Sequence, residues 1–244
     1  MSRLVNRRWI VLTLLVATAV AVMAELGFWQ LRRLHTVRAD NASVRAKMAL
    51  PAVPIESILR PGLPSVEATY RRVSVTGRYD RVSEIDLANR SFEGSPGSHL
   101  LTPLRLRDGR AVVVDRGWVP LDASATQLES ARPPVFVEAT VTGVLFPSER
   151  KSLFAPTIAP TGRLTTIARI DVARIAKQLD YPVLPLYLRL ESQTPPQGEL
   201  PVPPGPPDLS EGPHLSYAVQ WFIFATIAAL TYLALLRRRL REVL

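Results

Sequence analysis

Two apolar runs, one near each end, dominate the pattern of hydrophobic and polar positions along the chain. The second is the cleaner. Leu215 to Leu236 gives 22 residues without a formal charge, about 33 Å as a helix against a bilayer core of ~30 Å. Arg237, Arg238, Arg239 and Arg241 stop it. The first run begins at Trp9 and reaches Ala24, where Glu25 interrupts it; Leu26 to Leu31 then extend it to Arg32 and Arg33. The pattern predicts transmembrane helices over residues 9–31 and 215–236. Arg3, Arg7 and Arg8 precede the first span, and the four arginines follow the second. Two crossings put both termini on one side, and the positive-inside rule makes that side cytoplasmic. Residues 1–8 and 237–244 are then cytoplasmic tails of a multi-pass protein of the cell membrane. An alternative is a signal peptide cleaved after Ala19-Val20-Ala21, with a mature start at Val22.

Between the spans the period changes. Ala42 to Leu50 reads as a short polar helix ended by Pro51 and Pro54, and Ile55 to Leu59 as a helical turn before Pro61-Gly62. Alternating or continuous apolar stretches then predict strands over Tyr70–Gly77, Glu84–Arg90, Leu100–Arg107, Ala111–Asp115, Val135–Val144, Leu164–Ile170 and Tyr187–Leu190. Asp108-Gly109 fits a tight hairpin turn, because both residues tolerate positive φ. Asp171 fits the N-cap of a helix over Val172–Leu179. Arg72-Val-Ser-Val-Thr-Gly77 echoes Glu138-Ala-Thr-Val-Thr-Gly143. One echo suggests two similar strand ends and not a repeat architecture. The expected fold is α+β: two transmembrane helices flanking an extracytoplasmic β-rich domain over residues 32–194. That domain is barrel-like or a curved antiparallel sheet, with one or two short helices. Pro195 to Pro207 lies in a proline-rich connector over residues 195–214, extended and stiff.

Composition narrows the chemistry. The chain of 244 residues has no cysteine, which excludes disulfides, thiolate metal sites and cysteine nucleophiles. Its formal charge is +9. The terminal arginines sit beside the apolar runs and no basic stretch interleaves with aromatics, so the expected surface partner is the lipid bilayer and not nucleic acid. No hydrolase elbow, phosphate loop, zinc helix or dinucleotide fingerprint occurs, and His35, His99 and His214 lack ligand-like spacing. Asp115-Arg116 after a buried strand could resemble a site, but an ion pair supporting a turn is the simpler reading. No enzymatic activity is expected.

The polar and aromatic residues at the outer ends of the spans are more informative. They are Gly27-Phe28-Trp29-Gln30 and His214-Leu-Ser-Tyr-Ala-Val-Gln-Trp-Phe222. Helical spacing puts His214, Tyr217 and Trp221 on one face with Gln220 alongside. An aromatic belt at the headgroups accounts for Trp29, Tyr217 and Trp221, but not for glutamines in apolar segments. Gln30 and Gln220 are expected to hydrogen-bond across the helix pair. His214 is either a solvated interfacial residue or an axial ligand for haem iron.

Taken together, these segments resemble the Surfeit-locus-protein-one family of cytochrome c oxidase assembly factors, in a bacterial branch. Four blocks carry the resemblance. They are Gly27 to Arg33; Tyr70-Arg71-Arg72-Val73 with Gly77 and Tyr79; Thr102-Pro103-Leu104 followed by Val112 to Pro120; and His214 to Phe222. They cover nearly the whole chain in the family's order. Two features depart from it: Asp115 stands where asparagine is frequent, and the connector is unusually rich in proline. The resemblance implies a non-catalytic role in building the haem-copper oxidase, linked to delivering or retaining haem a for the catalytic subunit. Its partners would be oxidase subunits and the haem a synthesis machinery. It makes His214 the candidate haem iron contact, with Tyr217 and Trp221 as pocket walls and Gly27, Trp29, Gln30 and Gln220 as helix-pair or partner contacts. A structural chaperone that never touches haem, and an unrelated extracytoplasmic enzyme or sensor, are the competing readings.

Overall fold

A computed structural model describes residues 7–58, 65–133, 137–149 and 162–243. The expected strand start at Val135-Phe136, the Pro61-Gly62 turn, Leu59 and Arg3 lie outside them. The chain divides into a helical unit, Met1–Ser43 with Asp208–Leu244, and a β-rich unit, Val44–Pro207.

The helical unit is built from α1 (Arg7–Ala49) and α6 (His214–Val243). Ile10, Leu14, Leu15, Leu230 and Leu233 are exposed on these helices, a surface that water would penalise and hydrocarbon would not. Both helices are long and apolar enough to cross a membrane. The protein is therefore a multi-pass membrane protein with both termini on one side. One expectation changes here. The polar helix over residues 42–50 is not separate, because α1 runs unbroken for 43 residues. Arg32 to Ala49 contain neither glycine nor proline, so nothing in the chain breaks the helix at the end of the span.

The β-rich unit holds one eight-stranded sheet. Its strands are β1 (Val53–Pro54), β2 (Arg72–Tyr79), β3 (Ile85–Phe92), β4 (Ser95–Leu106), β5 (Ala111–Pro120), β6 (Glu138–Pro147), β7 (Thr166–Ile167) and β8 (Val183–Thr194). Their order is β1-β2-β6-β8-β5-β4-β3-β7. The sheet curves until β2 also meets β4, over Gly77–Leu106 to Tyr79–Leu104. Most neighbours are antiparallel as expected, but β1–β2, β3–β7 and β5–β8 are parallel. The short helices are α2 (Ile55–Ile58), α3 (Ser65–Ala68), α4 (Ala125–Ala131) and α5 (Val172–Ala176). Asp171 caps α5 by accepting from the Arg174 amide at 3.0 Å. The hairpin between β4 and β5 turns at Gly109, φ +85°.

Strand alternation sorts the core into two faces. Val112, Val114, Leu186 and Leu188 join Val73, Val75, Leu104 and Val141 inside the curve. Val113 and Tyr187 face the other way, toward Leu87, Val172 and Ile175. Residues Ala111 to Val119 are all buried, which explains why β5 reads as a continuous apolar run.

The echoed segments turn out to be partners. Arg72–Gly77 pairs antiparallel with Val144–Ala139. A Cβ on Gly77 would sit 2.3 Å from the Arg105 carbonyl oxygen, and one on Gly143 would sit 2.1 Å from that of Arg189. Each glycine lets a neighbouring strand cross close over the bend.

Candidate functional site

In the helical unit, α1 and α6 close along a seam of small residues. Gly27, Ala218 and Ala225 are buried in it. A Cβ on Gly27 would lie 2.7 Å from the Phe222 ring, so the missing side chain is what admits that ring. Phe28 meets the same ring edge-on at 5.2 Å. Near the termini Thr13 and Tyr232 share a hydroxyl hydrogen bond, and Arg239 lies 4.1 Å over Trp9. At the other end Arg38 pairs with Glu211 at 2.8 Å, and the Asn41 amide donates to the Leu209 carbonyl at 2.9 Å.

His214 opens α6 directly after Pro213. Its Nδ1 lies 2.8 Å from Gln30 Oε1. A carbonyl oxygen can only accept, so Nδ1 carries the proton and donates. Among the described residues Nε2 has no protein partner. The bond to Gln30 fixes the ring's orientation and leaves its other nitrogen open to a further contact.

The other predicted residues divide. Gln30 makes the expected bond across the helices, but to His214 and not to Gln220. Gln220 is exposed, because six residues past His214 an α-helix has turned about 240°. The seam follows His214, Ala218, Phe222 and Ala225. Tyr217, 45% exposed, and half-buried Trp221 stand beside it, the latter edge-on to Phe224 at 6.1 Å. Trp29 is 51% exposed, as a belt residue would be.

In the β-rich unit, Asp115-Arg116-Gly117-Trp118 forms a structural anchor. Leu100 faces Gly117 and Leu101 faces Asp115, so Arg116 is the extra residue of a β-bulge. Its guanidinium is 1% exposed and 3.3 Å from Glu84, which also accepts from Thr102 Oγ1 at 2.6 Å. Burial pulls the Arg116 pKa below its ordinary value, while Tyr79 and Glu84 oppose the shift. Burial likewise raises the Tyr79 pKa. Asp115 is held by His99 Nδ1 at 3.0 Å. Inside the domain Arg116 is therefore committed to Glu84 and Asp115 to a hydrogen bond with His99.

Gly117 and Trp118 receive the connector. Gly117 has φ +122°, and a Cβ there would sit 1.9 Å from the Val202 carbonyl oxygen. Trp118 and Val202 exchange backbone hydrogen bonds, each of 2.8 Å.

The sequence profile of the SURF1 family matches residues 17–226. The chain belongs to the SURF1 family. A SURF1-like protein of Mycobacterium tuberculosis (strain H37Rv) is 30% identical over 240 residues, 96% of this chain and 87% of that protein. A SURF1-like protein of Rickettsia conorii is 26% identical over 234 residues, 92% and 90% of the two chains. The cytochrome oxidase assembly protein SHY1 of Saccharomyces cerevisiae is 31% identical over 96 residues, 38% of this chain and 24% of its own length.

The SURF1 blocks fall on the helix seam and on three strands of the sheet, β2, β4 and the bulged β5 that anchors the connector. Helix α4 is missing from the elements the sequence predicts, although Ser124 and Gln127 form a capping box around its start. Val202 carried no signal at all, since only the folded sheet shows what it pairs with.

Proposed function

We propose that this SURF1-family protein is an assembly factor for haem-copper cytochrome c oxidase that holds haem a transiently for the catalytic subunit. The observation that carries the reading is the His214–Gln30 hydrogen bond of 2.8 Å at the helix seam. It leaves Nε2 open for one axial bond to iron. Haem a is cargo on this view. One nitrogen on an exposed helix end suits a ligand that must be released, and Tyr217 and Trp221 would line the same edge of the helix pair. The printed name of the yeast relative supports the oxidase connection. The arginine flanks favour cytoplasmic termini, with the β-rich unit outside and facing the oxidase subunits and the haem a synthesis machinery. Trp9 and Thr13 take part in the helix pair, which favours a retained first span over cleavage at Val22.

Complementation tests this reading. Cells lacking the protein should assemble less oxidase, restored by the wild type and poorly by His214→Ala. Normal haem a content in the oxidase of the deletion strain would overturn the proposal. Oxidase subunits that co-purify equally well after haem depletion, with full rescue by His214→Ala, would replace it with a structural chaperone.

A further inference from the structure

The β-rich unit carries a cationic groove that no part of the haem reading uses. A concavity of about 940 Å³ opens where the paired ends of β2 and β4 meet the start of β6. Arg78, Arg81, Arg105, Arg107 and Arg132 line it, against two carboxylates, Asp80 and Glu138. Neither carboxylate is free. Asp80 accepts the Tyr181 hydroxyl at 2.6 Å, and Glu138 pairs with Arg107 at 2.9 Å. Glu129 is shared between Arg81 and Arg132. Arg105 lies 4.6 Å over the Tyr181 ring, and among the described residues Arg78 forms no ion pair.

The positive field continues past the groove. Val82, 76% exposed, separates it from a second concavity of about 500 Å³. Among the described residues, Arg163, Arg174 and Lys177 line that one with no carboxylate. Eight cations among the described residues thus line the two concavities against the carboxylates Asp80 and Glu138. Folding alone gains little from this, since exposed ion pairs contribute ~0–1 kcal/mol and neighbouring like charges repel. Guanidinium forks match carboxylates in bidentate geometry. A concave cleft with Leu106 in its lining and Val82 on its rim receives an extended chain better than it receives a flat bilayer surface.

We propose that this groove docks an acidic polypeptide segment of a partner protein, with Arg78, Arg105 and Arg107 pairing its carboxylates. The inference rests on charge and shape and stands whether or not haem is carried. The test is fluorescence anisotropy of a labelled octaglutamate peptide with the full-length protein in detergent, beside an octaglutamine control. Octaglutamate should bind more tightly, and binding should weaken as salt rises. The Arg78→Glu/Arg105→Glu variant should bind about tenfold more weakly or worse. An Arg237→Glu/Arg238→Glu control should bind as the wild type. If the first double variant does not fold, Arg107→Gln, whose side chain is 75% exposed, should still weaken binding about threefold. Equal binding of the two peptides, or no change in a folded groove variant, overturns the proposal. Tighter binding of short-chain phosphatidylglycerol than of octaglutamate would overturn it in favour of a membrane surface.

Discussion

Replacing Gly117 with alanine should release the proline-rich connector from the sheet. The new Cβ would meet the Val202 carbonyl oxygen at 1.9 Å, a contact that only backbone movement can relieve. Moving Val202 away breaks the two 2.8 Å bonds it shares with Trp118, at ~0.5–1.5 kcal/mol each. It also frees Gln197, which donates to the Arg116 carbonyl at 3.1 Å, and Leu200, which packs on Leu100, Val119 and Ala131. Alanine at φ +122° adds about 1–3 kcal/mol of backbone strain. The two bonds and the strain together come to about 2–6 kcal/mol, an increase of roughly one and a half to four orders of magnitude in the open population. Hydrogen exchange at the Trp118 and Val202 amides reads that population directly. Both should exchange faster by about that factor, while amides in the middle of β6 keep their protection. Gly109→Ala is the control, since it too has positive φ but nothing within 4 Å of a new Cβ. It should leave the connector amides unchanged. Unaltered exchange at Val202 in a folded Gly117→Ala variant would show that the glycine is not what admits the connector.

Three further outcomes are expected. Glu84→Gln strands the Arg116 charge, 1% exposed, and should cost about 3–5 kcal/mol by denaturant titration; a Glu84→Leu/Arg116→Met double variant should recover most of it. Burial raises the Asp80 carboxyl, but hydrogen bonds involving Tyr181, Ser83 and Val82 outweigh it and leave the pKa below its usual value. Its charge therefore stabilises the fold above the ordinary carboxylate pKa, and the effect is lost as pH falls through the depressed folded value. Asp80→Asn should cost ~1 kcal/mol at neutral pH and nothing once wild-type Asp80 is protonated, as pH-dependent unfolding curves would reveal. Gly27→Leu pushes the Phe222 ring off α1 and should weaken the helix pair by about 1–3 kcal/mol, measured as faster cross-helix exchange or a lower Tm in detergent.

What could be read in advance was local. Both spans, the Gly109 turn, the Asp171 cap and most strands announce themselves within a few residues, through periodicity or a residue type that one conformation requires. The long-range facts did not. Gln30 and Gln220 are equally polar residues in apolar helices, and only the crossing of α1 with α6 selects His214 as the partner of Gln30. Asp115-Arg116 reads as an ion pair supporting a turn at a strand end, yet the bulge opposite Leu100 and Leu101 turns Arg116 into the core beside Glu84 while Asp115 meets His99. The parallel pairing of β5 with β8 depends on residues more than 60 positions apart, beyond any local pattern. The cationic groove is likewise assembled from four separate stretches of chain.

On the proposed function, His214, oriented by Gln30, offers Nε2 to haem iron. The most direct measurement is the absorption spectrum of the full-length protein purified from cells that make haem a, compared with His214→Ala and Gln30→Ala. The wild type should show haem a, His214→Ala should lose it, and Gln30→Ala should retain it less tightly because the imidazole is no longer held. A wild-type protein without haem, or a His214→Ala protein with an unchanged spectrum, would contradict the account.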